Sequence, residues 1–347
     1  MDMRIPLKFA EAVPSRDQHQ RTLRELRMSV IDRCNFRCTY CMPEDSLNGR
    51  GIFLPLVKLL TDHEIEDLIR TFVKLGVRKV RITGGEPLVR PGLPGLVKRL
   101  AAIPELEDIA LTTNGVMLPR LAEDLAEAGL GRLTVSLDTL DQDVLSQMSG
   151  GKARLEEILD GIAAAESAGF SQIKINTVVQ RGVNDHTIMD LLGYFRGSGH
   201  SVRLIEFMDV GNCNHWNRDE VVPSAEWIEK INEKWPIVSV RRSSAAETAQ
   251  RFAYVDGQGE IGFISSISKP FCGGCTRARV TADGLFYTCL FSSKGTNLMP
   301  LIRHEEDPAE LRERIISVWE NRDDRYSEER GLPGHDQEKV EMYRMGG

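Results

Sequence analysis

Strand-like and helix-like segments alternate through the first two thirds of the chain. Repeating strand and helix units predict parallel strands joined by right-handed crossovers. Because six units are too few to close an eight-stranded barrel, we expect an α/β fold, a partial (βα)6 TIM-like barrel that binds ligands at the carboxyl ends of its strands. The six segments rich in β-branched and apolar residues are 26–32, 78–83, 108–113, 132–138, 172–179 and 201–208.

The clearest helical pattern lies between the first two of these strands. Thr61 and Glu64 have the spacing of a capping box, and apolar residues then recur at helical intervals as far as Gly76. The sequence therefore predicts an amphipathic helix that starts after Thr61 and is ended by Gly76.

The pattern changes after about residue 220. A helical segment at 224–235 precedes short strand-like segments at 251–256, 259–265, 277–283 and 285–291. We therefore expect a barrel over residues 1–220 and an appended C-terminal α+β module over residues 221–319. Residues 320–347 are too rich in charge to build a core, so we expect a mobile tail that ends in Gly346 and Gly347.

Composition narrows the functional classes. Apolar residues make up 41% of the chain and charged residues 27%, and the apolar stretches are too short to span a membrane. The first 25 residues lack an apolar signal region, so we expect a cytoplasmic protein without a membrane partner. A net charge of −7 disfavours nucleic acid as a partner but permits a local basic pocket for a phosphorylated small molecule.

Six of the seven cysteines fall in two clusters, which indicates metal or redox chemistry rather than a disulfide framework. Cys34, Cys38 and Cys41 form the first cluster, with the spacing C-x3-C-x2-C after the first strand. A structural zinc site takes four ligands, and no cysteine or histidine follows nearby to complete one. A [4Fe-4S] cluster held by three thiolates instead keeps one iron free to bind another ligand.

The second cluster consists of Cys272, Cys275 and Cys289, with the spacing C-x2-C-x13-C. It again lacks a local fourth ligand, so a second [4Fe-4S] cluster with an open iron is the economical interpretation. Zinc with Cys213 as a remote fourth ligand is the alternative. The sequence favours the iron-sulfur cluster and leaves Cys213 as a spare thiol.

Polar motifs stand at the ends of the next three strands. These are TGGEPL at 83–88, TTNG at 112–115 and VSLD at 135–138. A strand-to-helix turn that needs the backbone freedom of glycine explains Gly85 without any ligand. At the carboxyl ends of parallel strands, however, the side chains of Thr112 and Ser136 face the expected cavity.

The first cysteine spacing, with Tyr40 before its last cysteine, resembles the signature of the radical S-adenosylmethionine (SAM) enzymes. Together with the second spacing, the Arg-Ala-Arg run that starts at Arg277 and the terminal Gly-Gly, it is similar to the GTP 3′,8-cyclases of molybdenum-cofactor biosynthesis, the MoaA family. The resemblance runs from Arg27 to Gly347. It implies a lyase with two [4Fe-4S] clusters and SAM as cofactors, in which SAM chelates the open iron of the first cluster and supplies a 5′-deoxyadenosyl radical.

The resemblance also implies roles for individual residues. It makes all six clustered cysteines metal ligands, namely Cys34, Cys38, Cys41, Cys272, Cys275 and Cys289. It implies SAM contacts at Tyr40, Gly85, Ser136 and Met208. A triphosphate needs several cations, and the implied GTP ligands are Arg27, Lys79, Arg81, Thr112, Lys174, Arg203, Arg277 and Arg279. Catalytic roles fall to Arg27, Gly346 and Gly347, because the resemblance implies that the Gly-Gly end enters the cavity.

In the implied reaction the radical removes hydrogen from C3′ of the GTP ribose, and C3′ then attacks guanine C8 to give 3′,8-cyclo-7,8-dihydro-GTP. The second cluster would hold the guanine edge. The implied partners are GTP, a cellular one-electron donor and the next pathway enzyme, cyclic pyranopterin monophosphate synthase; a homodimer is also compatible. Two alternatives stay open, a peptide-modifying radical SAM maturase with an auxiliary cluster and a zinc-dependent binding module without catalysis.

Overall fold

The computed structural model describes residues 15–43, 53–303, 308–332 and 338–346. Within these residues twelve strands form one mostly parallel sheet. The strands are β1 (Glu25–Ser29), β2 (Lys79–Thr83), β3 (Asp108–Thr113), β4 (Arg132–Ser136), β5 (Lys174–Val179), β6 (Ser201–Glu206), β7 (Ile237–Ser239), β8 (Gln250–Tyr254), β9 (Glu260–Ile264), β10 (Arg277–Val280), β11 (Leu285–Tyr287) and β12 (Thr296–Asn297). Their order across the sheet is β12-β11-β10-β1-β2-β3-β4-β5-β6-β9-β8-β7.

Strands β1 to β6 lie side by side in chain order, and each neighbouring pair is parallel. They coincide with the six segments that the sequence predicts as strands, so the α/β class and these strands are confirmed. Side chains alternate between the two faces of each strand. In β1, Leu26 and Met28 are fully buried, while Arg27 between them lies on the opposite face.

Helices follow most of the strands and cover the sheet. Their bounds are α1 (Asp62–Lys74), α2 (Leu93–Ala101), α3 (Leu118–Glu127), α4 (Gln142–Met148), α5 (Leu155–Ser167), α6 (Ile188–Phe195), α7 (Ser224–Lys234), α8 (Met299–Arg303), α9 (Pro308–Glu320), α10 (Tyr326–Glu329) and α11 (Met342–Met345). Among the described residues, none of these helices is both long and apolar enough to cross a membrane.

The amino terminus of α1 has the predicted capping box. The Thr61 hydroxyl accepts a hydrogen bond from the Glu64 backbone N–H at 3.2 Å, and the Glu64 carboxylate accepts one from the Thr61 N–H at 2.7 Å. The helix ends at Lys74, and Gly76 then adopts a φ of 108° that turns the chain into β2. One face of the helix is buried, at Ile65, Leu68, Ile69, Phe72 and Val73.

The C-terminal strands do not form a sheet of their own. β10 pairs in parallel with β1, and β9 pairs in parallel with β6, so the later strands extend the sheet on both sides of the first six. Outside them, β11 and β12 on one side and β8 and β7 on the other are antiparallel. The domain boundary near residue 220 stays a prediction, but the two predicted parts share one sheet.

The described part of the tail lies against the rest of the chain. Met345 in α11 has no exposed surface, and Arg344 forms an ion pair with Asp283 at 3.2 Å. Further back, Arg330 and Lys339 pair with Asp209. Some of the charged residues that predicted a mobile tail therefore form ion pairs with loops next to the strands. The mobility itself stays a prediction. Gly347 lies outside the described residues.

Candidate active site

A cavity of about 290 Å³ opens at the carboxyl ends of the parallel strands, where the fold class predicts ligand binding. It is lined by residues from the loops after β1 to β6 and from β10 and the loop after β11. Both cysteine clusters border this one cavity. Of the other predicted site residues, those that line it are Arg27, Tyr40, Gly85, Thr112, Ser136, Met208, Arg277 and Arg279.

The first cysteine cluster lies on the loop after β1, where a tight turn brings its members together. The backbone N–H groups of Cys41 and Met42 both donate to the carbonyl of Cys38, at 3.0 and 2.8 Å, and the N–H of Phe36 donates to the Cys34 Sγ at 3.3 Å. Burial raises the pKa of the Cys34 thiol to about 11 and raises those of Cys38 and Cys41 as well.

The glycine-rich loop after β2 runs directly alongside the cysteine loop. The Gly85 N–H donates to the Ile31 carbonyl and the Glu86 N–H to the Arg33 carbonyl, each at 2.8 Å. A Cβ atom on Gly85 would lie 2.2 Å from the Arg33 carbonyl oxygen, and one on Gly84 would lie 2.5 Å from that of Ile31. Close backbone approach therefore requires both glycines, and the same approach brings Gly85 to the cavity wall.

Two buried carboxylates brace these loops. Asp138 accepts a hydrogen bond from the Tyr40 hydroxyl at 2.7 Å and another from the Val178 N–H at 2.8 Å, and it fixes the Tyr40 ring at the cavity. Glu86 accepts from the Thr113 hydroxyl and the Asn114 N–H, both at 2.7 Å. Burial raises the pKa of Asp138 to about 6 and that of Glu86 to about 7, although these hydrogen bonds oppose the shift.

The second cysteine cluster faces the same cavity from the other side of β1. Cys272 and Cys275 occupy a short 3₁₀ turn before β10, and Cys289 follows β11. Arg322 donates to the Cys275 carbonyl at 3.0 Å and to its Sγ at 3.3 Å, and Arg277 donates to the same Sγ at 3.5 Å. Burial alone would raise the pKa of Cys275, but these two guanidinium groups lower it to about 6.

A buried ion network supports this second cluster from the amino-terminal segment. Asp17 pairs with Arg21 at 2.5 Å and with Arg322 at 3.5 Å, and all three side chains are at most 2% exposed. Arg21 also donates to the Cys272 carbonyl at 3.0 Å. The segment before β1, whose packing the sequence does not predict, thus holds the backbone of the second cluster.

The arrangement of the thiols bears on which metal centre they fit. All seven cysteines are free of disulfides. Within the described ranges, no three histidine, cysteine, aspartate or glutamate side chains come close enough to hold a single metal ion. Cys213 lies beside the first cluster, with its Sγ 3.6 Å from the Cys41 carbonyl oxygen, whereas the zinc alternative requires it beside the second. This position favours the iron-sulfur interpretation of the second cluster, which stays a prediction.

A row of arginines crosses three neighbouring strands of the sheet, β10, β1 and β2. Arg279, Arg27 and Arg81 are register partners on β10, β1 and β2, so their side chains share one face. Arg81 lies behind the cavity wall, where it donates to the hydroxyls of Thr112 and Thr134 at 3.2 Å each. In the part of the chain that the structure describes, the Nε of Arg27, the Nε of Arg81 and the Oδ1 of Asn176 are buried without a hydrogen-bond partner.

The remaining predicted GTP ligands lie away from the cysteines. Lys79 and Lys174 are the first residues of β2 and β5, at the amino-terminal ends of the strands, and neither they nor Arg203 line the main cavity. Lys174 borders a second cavity of about 390 Å³ together with Arg132. Burial, followed by the charges of Arg203 and other nearby arginines, lowers the pKa of Lys174 to about 7.

The described end of the tail reaches this site. Arg279 donates to the carbonyls of Met345, at 3.2 Å, and of Gly346. Gly346 has a φ of 72°, and a Cβ atom there would lie 2.0 Å from the Thr83 Oγ1. Only glycine fits at this position.

Sequence reasoning missed several residues of the cavity. Glu86, Asn114 and Asp138 stand inside motifs that the sequence already singles out, so their place at strand ends is the signal that would have identified them. Arg322 lies in the charged tail region, where nothing local distinguishes it from a solvated surface arginine.

Two family models match the chain. Residues 28–195 match the Radical SAM superfamily, and residues 200–328 match Molybdenum Cofactor Synthesis C. Together they cover most of the sheet and both cysteine clusters.

Curated relatives match over nearly the full length. A GTP 3′,8-cyclase of Xanthomonas axonopodis pv. citri is 51% identical over 334 residues, which covers 96% of this chain and 99% of the relative. GTP 3′,8-cyclases of Acidothermus cellulolyticus and Staphylococcus haemolyticus are 46% and 42% identical and cover 96% of the chain in both cases. Of these two relatives, 99% and 98% of the length is covered.

Solved structures show the same fold at low sequence identity. Streptococcus suis SuiB bound to S-adenosylmethionine superposes with a TM-score of 0.59 at 16% identity, over 86% of this chain and 69% of that one. Native anSMEcpe with bound AdoMet gives 0.55 at 17% identity, over 85% and 83%.

Proposed function

The chain belongs to the GTP 3′,8-cyclases, the radical SAM enzymes of molybdenum-cofactor biosynthesis. From this premise we propose which residues of its cavity hold the clusters, SAM and GTP. The enzyme uses SAM and iron-sulfur chemistry to cyclise GTP in the first step of that pathway. The proposal concerns the number of clusters, the residues that hold each ligand and the role of the tail. One observation carries it: both cysteine clusters and four arginines, Arg27, Arg277, Arg279 and Arg322, border the same cavity.

The first cluster of cysteines, Cys34, Cys38 and Cys41, would hold a [4Fe-4S] cluster that binds SAM. Within the described residues these thiols do not form a single-ion site, and three half-buried thiols at this spacing fit a four-iron cluster. Bound there, SAM would supply the radical chemistry that the cyclisation of GTP needs. The residues that hold SAM are Tyr40, Gly85, Ser136 and Met208, all at the cavity wall.

Cys272, Cys275 and Cys289 hold a second [4Fe-4S] cluster that anchors the guanine of GTP. Its side of the cavity carries Arg27, Arg277 and Arg279. Positioning is most of what a protein adds to cofactor chemistry, so the contribution of these residues is to place C3′ of the ribose beside the radical source.

The triphosphate of GTP extends from these arginines towards the amino-terminal ends of the strands. Burial lowers the pKa values of Arg27, Arg81 and Arg203 to about 10, and still leaves all three charged at neutral pH. The Nε–H groups of Arg27 and Arg81 are buried without a hydrogen-bond partner among the described residues, although Glu25 lies 3.8 Å from the Arg27 Nε, and such groups are suited to anionic oxygens. The phosphate ligands are Lys79, Arg81, Thr112, Lys174 and Arg203.

The C-terminal glycines complete the site. Gly346 contacts Arg279 and Thr83 inside the cavity region, and this contact supports the proposal that Gly346 and Gly347 organise the arginines around GTP. Arg27 shares the register row of Arg279 and acts with them in catalysis.

Outside the chain, the reaction needs a one-electron donor, and its product passes to cyclic pyranopterin monophosphate synthase. We place the reaction in the cytoplasm, where GTP and SAM are made. A homodimer is compatible with these roles.

Product analysis tests the proposal. Anaerobic incubation with SAM, a reductant and each of the four ribonucleoside triphosphates should give 5′-deoxyadenosine and a cyclised product with GTP alone. The reconstituted protein should be brown and contain about eight irons per chain. A colourless protein that contains only zinc would contradict both clusters.

Two cysteine variants separate the clusters. Cys38→Ala should abolish reductive cleavage of SAM, because the first cluster loses a ligand. Cys275→Ala should keep the first cluster and some uncoupled cleavage but make no cyclised product. Normal turnover of GTP by Cys275→Ala would show that the second cluster does not anchor the substrate.

A further inference from the structure

The tail meets the sheet at a loop that has no part in the function proposed above. This loop, residues 209–212, follows β6 and comes directly after Met208. Its residues Asp209 and Asn212 both contact the tail segment 338–346.

Asp209 is a buried carboxylate, 8% exposed, whose partners all come from the tail region. It accepts hydrogen bonds from the Tyr326 hydroxyl at 2.5 Å, from the Arg330 Nε at 3.0 Å and from the Lys339 Nζ at 2.8 Å. The Lys339 Nζ also donates to the Asp209 carbonyl at 2.8 Å. Because a buried charge is costly unless it is paired, these contacts fix the two tail cations at this point.

Asn212 binds the tail backbone rather than a tail charge. Its Nδ2 donates to the Lys339 carbonyl at 2.5 Å, and its Oδ1 accepts from the Lys339 N–H at 2.9 Å. Its own N–H donates to the Glu341 carboxylate at 3.2 Å. Gly211 leaves space for this carboxylate, since a Cβ atom on Gly211 would lie 2.4 Å from the Glu341 Oε2. The loop is therefore shaped to one register of the tail.

The far end of the same segment lies in the active site. Gly346 contacts Thr83 and Arg279, and Met345 beside it has no exposed surface. Since Lys339 is fixed at one end and Gly346 at the other, the loop sets how far the chain reaches into the cavity.

We propose that Asp209 and Asn212 form a tail clasp that positions the C-terminal segment in the active site. Asp209 is a positioning residue and not a catalytic one, because it acts through the tail. The clasp rests on the proposed role of the tail in cyclisation. Anchoring the segment at Lys339 raises the effective concentration of its end at the site, as any short tether does.

The test uses Asp209→Asn and Asn212→Ala, each in the full chain and in a chain that ends at Leu332. In the reconstituted full chain, we expect iron content and SAM cleavage without GTP to stay within about twofold of the parent, because both clusters are intact. Cyclisation of GTP should fall by about tenfold to a hundredfold, the effect of losing a charge-assisted hydrogen bond. In the shortened chain Asn212→Ala should cause no further loss, and Asp209→Asn should lose less than in the full chain, because only its contacts with Tyr326 and Arg330 remain there.

Three readouts separate the clasp from general damage. Amide hydrogen exchange at residues 342–346 should speed up in Asp209→Asn, while Asp209→Glu should restore part of the cyclisation. A peptide of residues 338–347 should rescue the shortened parent at lower concentration than it rescues the shortened Asp209→Asn chain. Asp256→Asn is the matched control, because Asp256 pairs with Arg196 and not with the tail; it should behave as the parent.

The proposal is overturned if Asp209→Asn and Asn212→Ala both cyclise GTP at the rate of the parent. An equal loss in the full and the shortened chains also overturns it, because such a loss would show that Asp209 acts through Tyr326, Arg330 or Met208 and not through the segment after Leu332. Full cyclisation by the shortened parent would overturn the proposed role of the tail itself, so the two failures are distinguishable.

Discussion

Two arginines that line this cavity, Arg277 and Arg279, have different hydrogen-bond partners. The alternation of Arg277 and Arg279 along a strand predicts that both face one side, and both do line the cavity. Their partners nevertheless differ, since Arg277 donates to the Cys275 thiol and Arg279 to the tail carbonyls. Sequence spacing predicts the face on which a side chain lies, but a partner more than sixty residues away is set by the tertiary fold.

Alanine substitutions should separate these two roles. Arg277→Ala and Arg279→Ala should each weaken GTP binding by about 1.5 to 3 kcal/mol, the scale of a charge-assisted hydrogen bond. In a chain that ends at Leu332, the loss of cyclisation from Arg279→Ala should shrink, because the tail is already absent, whereas that from Arg277→Ala should not. Equal losses of SAM and GTP binding would instead indicate misfolding.

Lys174 predicts a pH dependence. Its pKa of about 7 lies below that of the unfolded chain, mainly because the side chain is buried. Between about pH 7 and pH 10 the unfolded chain therefore binds more protons at this group, and its contribution to stability rises with pH. A bound triphosphate has the opposite preference, since it favours the protonated amine and raises its pKa.

GTP affinity should accordingly fall as pH rises through about 7 to 9, with proton uptake on binding. Calorimetry in buffers of different ionisation enthalpy measures both. Lys174→Arg keeps its charge over this range and should flatten the profile. An unchanged profile in that variant would remove Lys174 from the phosphate site.

At the scale of elements, the loops after β1 and β2 form one unit. The sequence predicts both loops and their chemistry, but the direct contact between their backbones is not visible in either motif alone. The two loops approach closely at Gly85, where a Cβ atom added to the glycine would lie 2.2 Å from the Arg33 carbonyl oxygen. A side chain there must displace the cysteine loop.

Gly85→Ala should therefore lower iron retention at the first cluster and abolish reductive SAM cleavage, while Gly95→Ala serves as the control. Gly95 lies in α2 with nothing within 4 Å of its Cβ position, so alanine should raise helix stability there by up to about 1 kcal/mol. Iron analysis and thermal unfolding measure the two effects. Normal cleavage in Gly85→Ala would mean that the loops can separate without loss of function.

At the scale of the whole molecule, the sheet joins parts of the chain that are far apart in sequence. Local periodicity predicts β1 to β6 because each strand carries its own pattern. The pairing of β10 with β1 and of β9 with β6 could not be predicted in this way, since it depends on segments up to about 250 residues apart. This is why the sequence suggests an appended module where the structure has one continuous sheet.

Residues 1–220 should consequently be unstable when produced alone. Without β9 and β10, the edges of β6 and β1 expose unpaired backbone groups and are prone to aggregate. Co-expression with residues 221–347 should restore a soluble complex, and the intact chain should unfold in a single cooperative transition. Gel filtration measures the solubility of the fragment, and circular dichroism measures the unfolding of the intact chain. A soluble, folded fragment 1–220, or unfolding of the intact chain in two steps, would contradict this expectation.

The position of β1 also has a consequence during synthesis. Its neighbour β10 leaves the ribosome about 250 residues later, which at elongation rates of about 5 to 20 residues per second takes roughly 10 to 50 s. Throughout that interval the nascent chain carries the first thiol loop on a strand with one side unpaired. Because only the nearly finished polypeptide encloses both thiol loops, we expect iron and sulfide to be inserted into the completed chain.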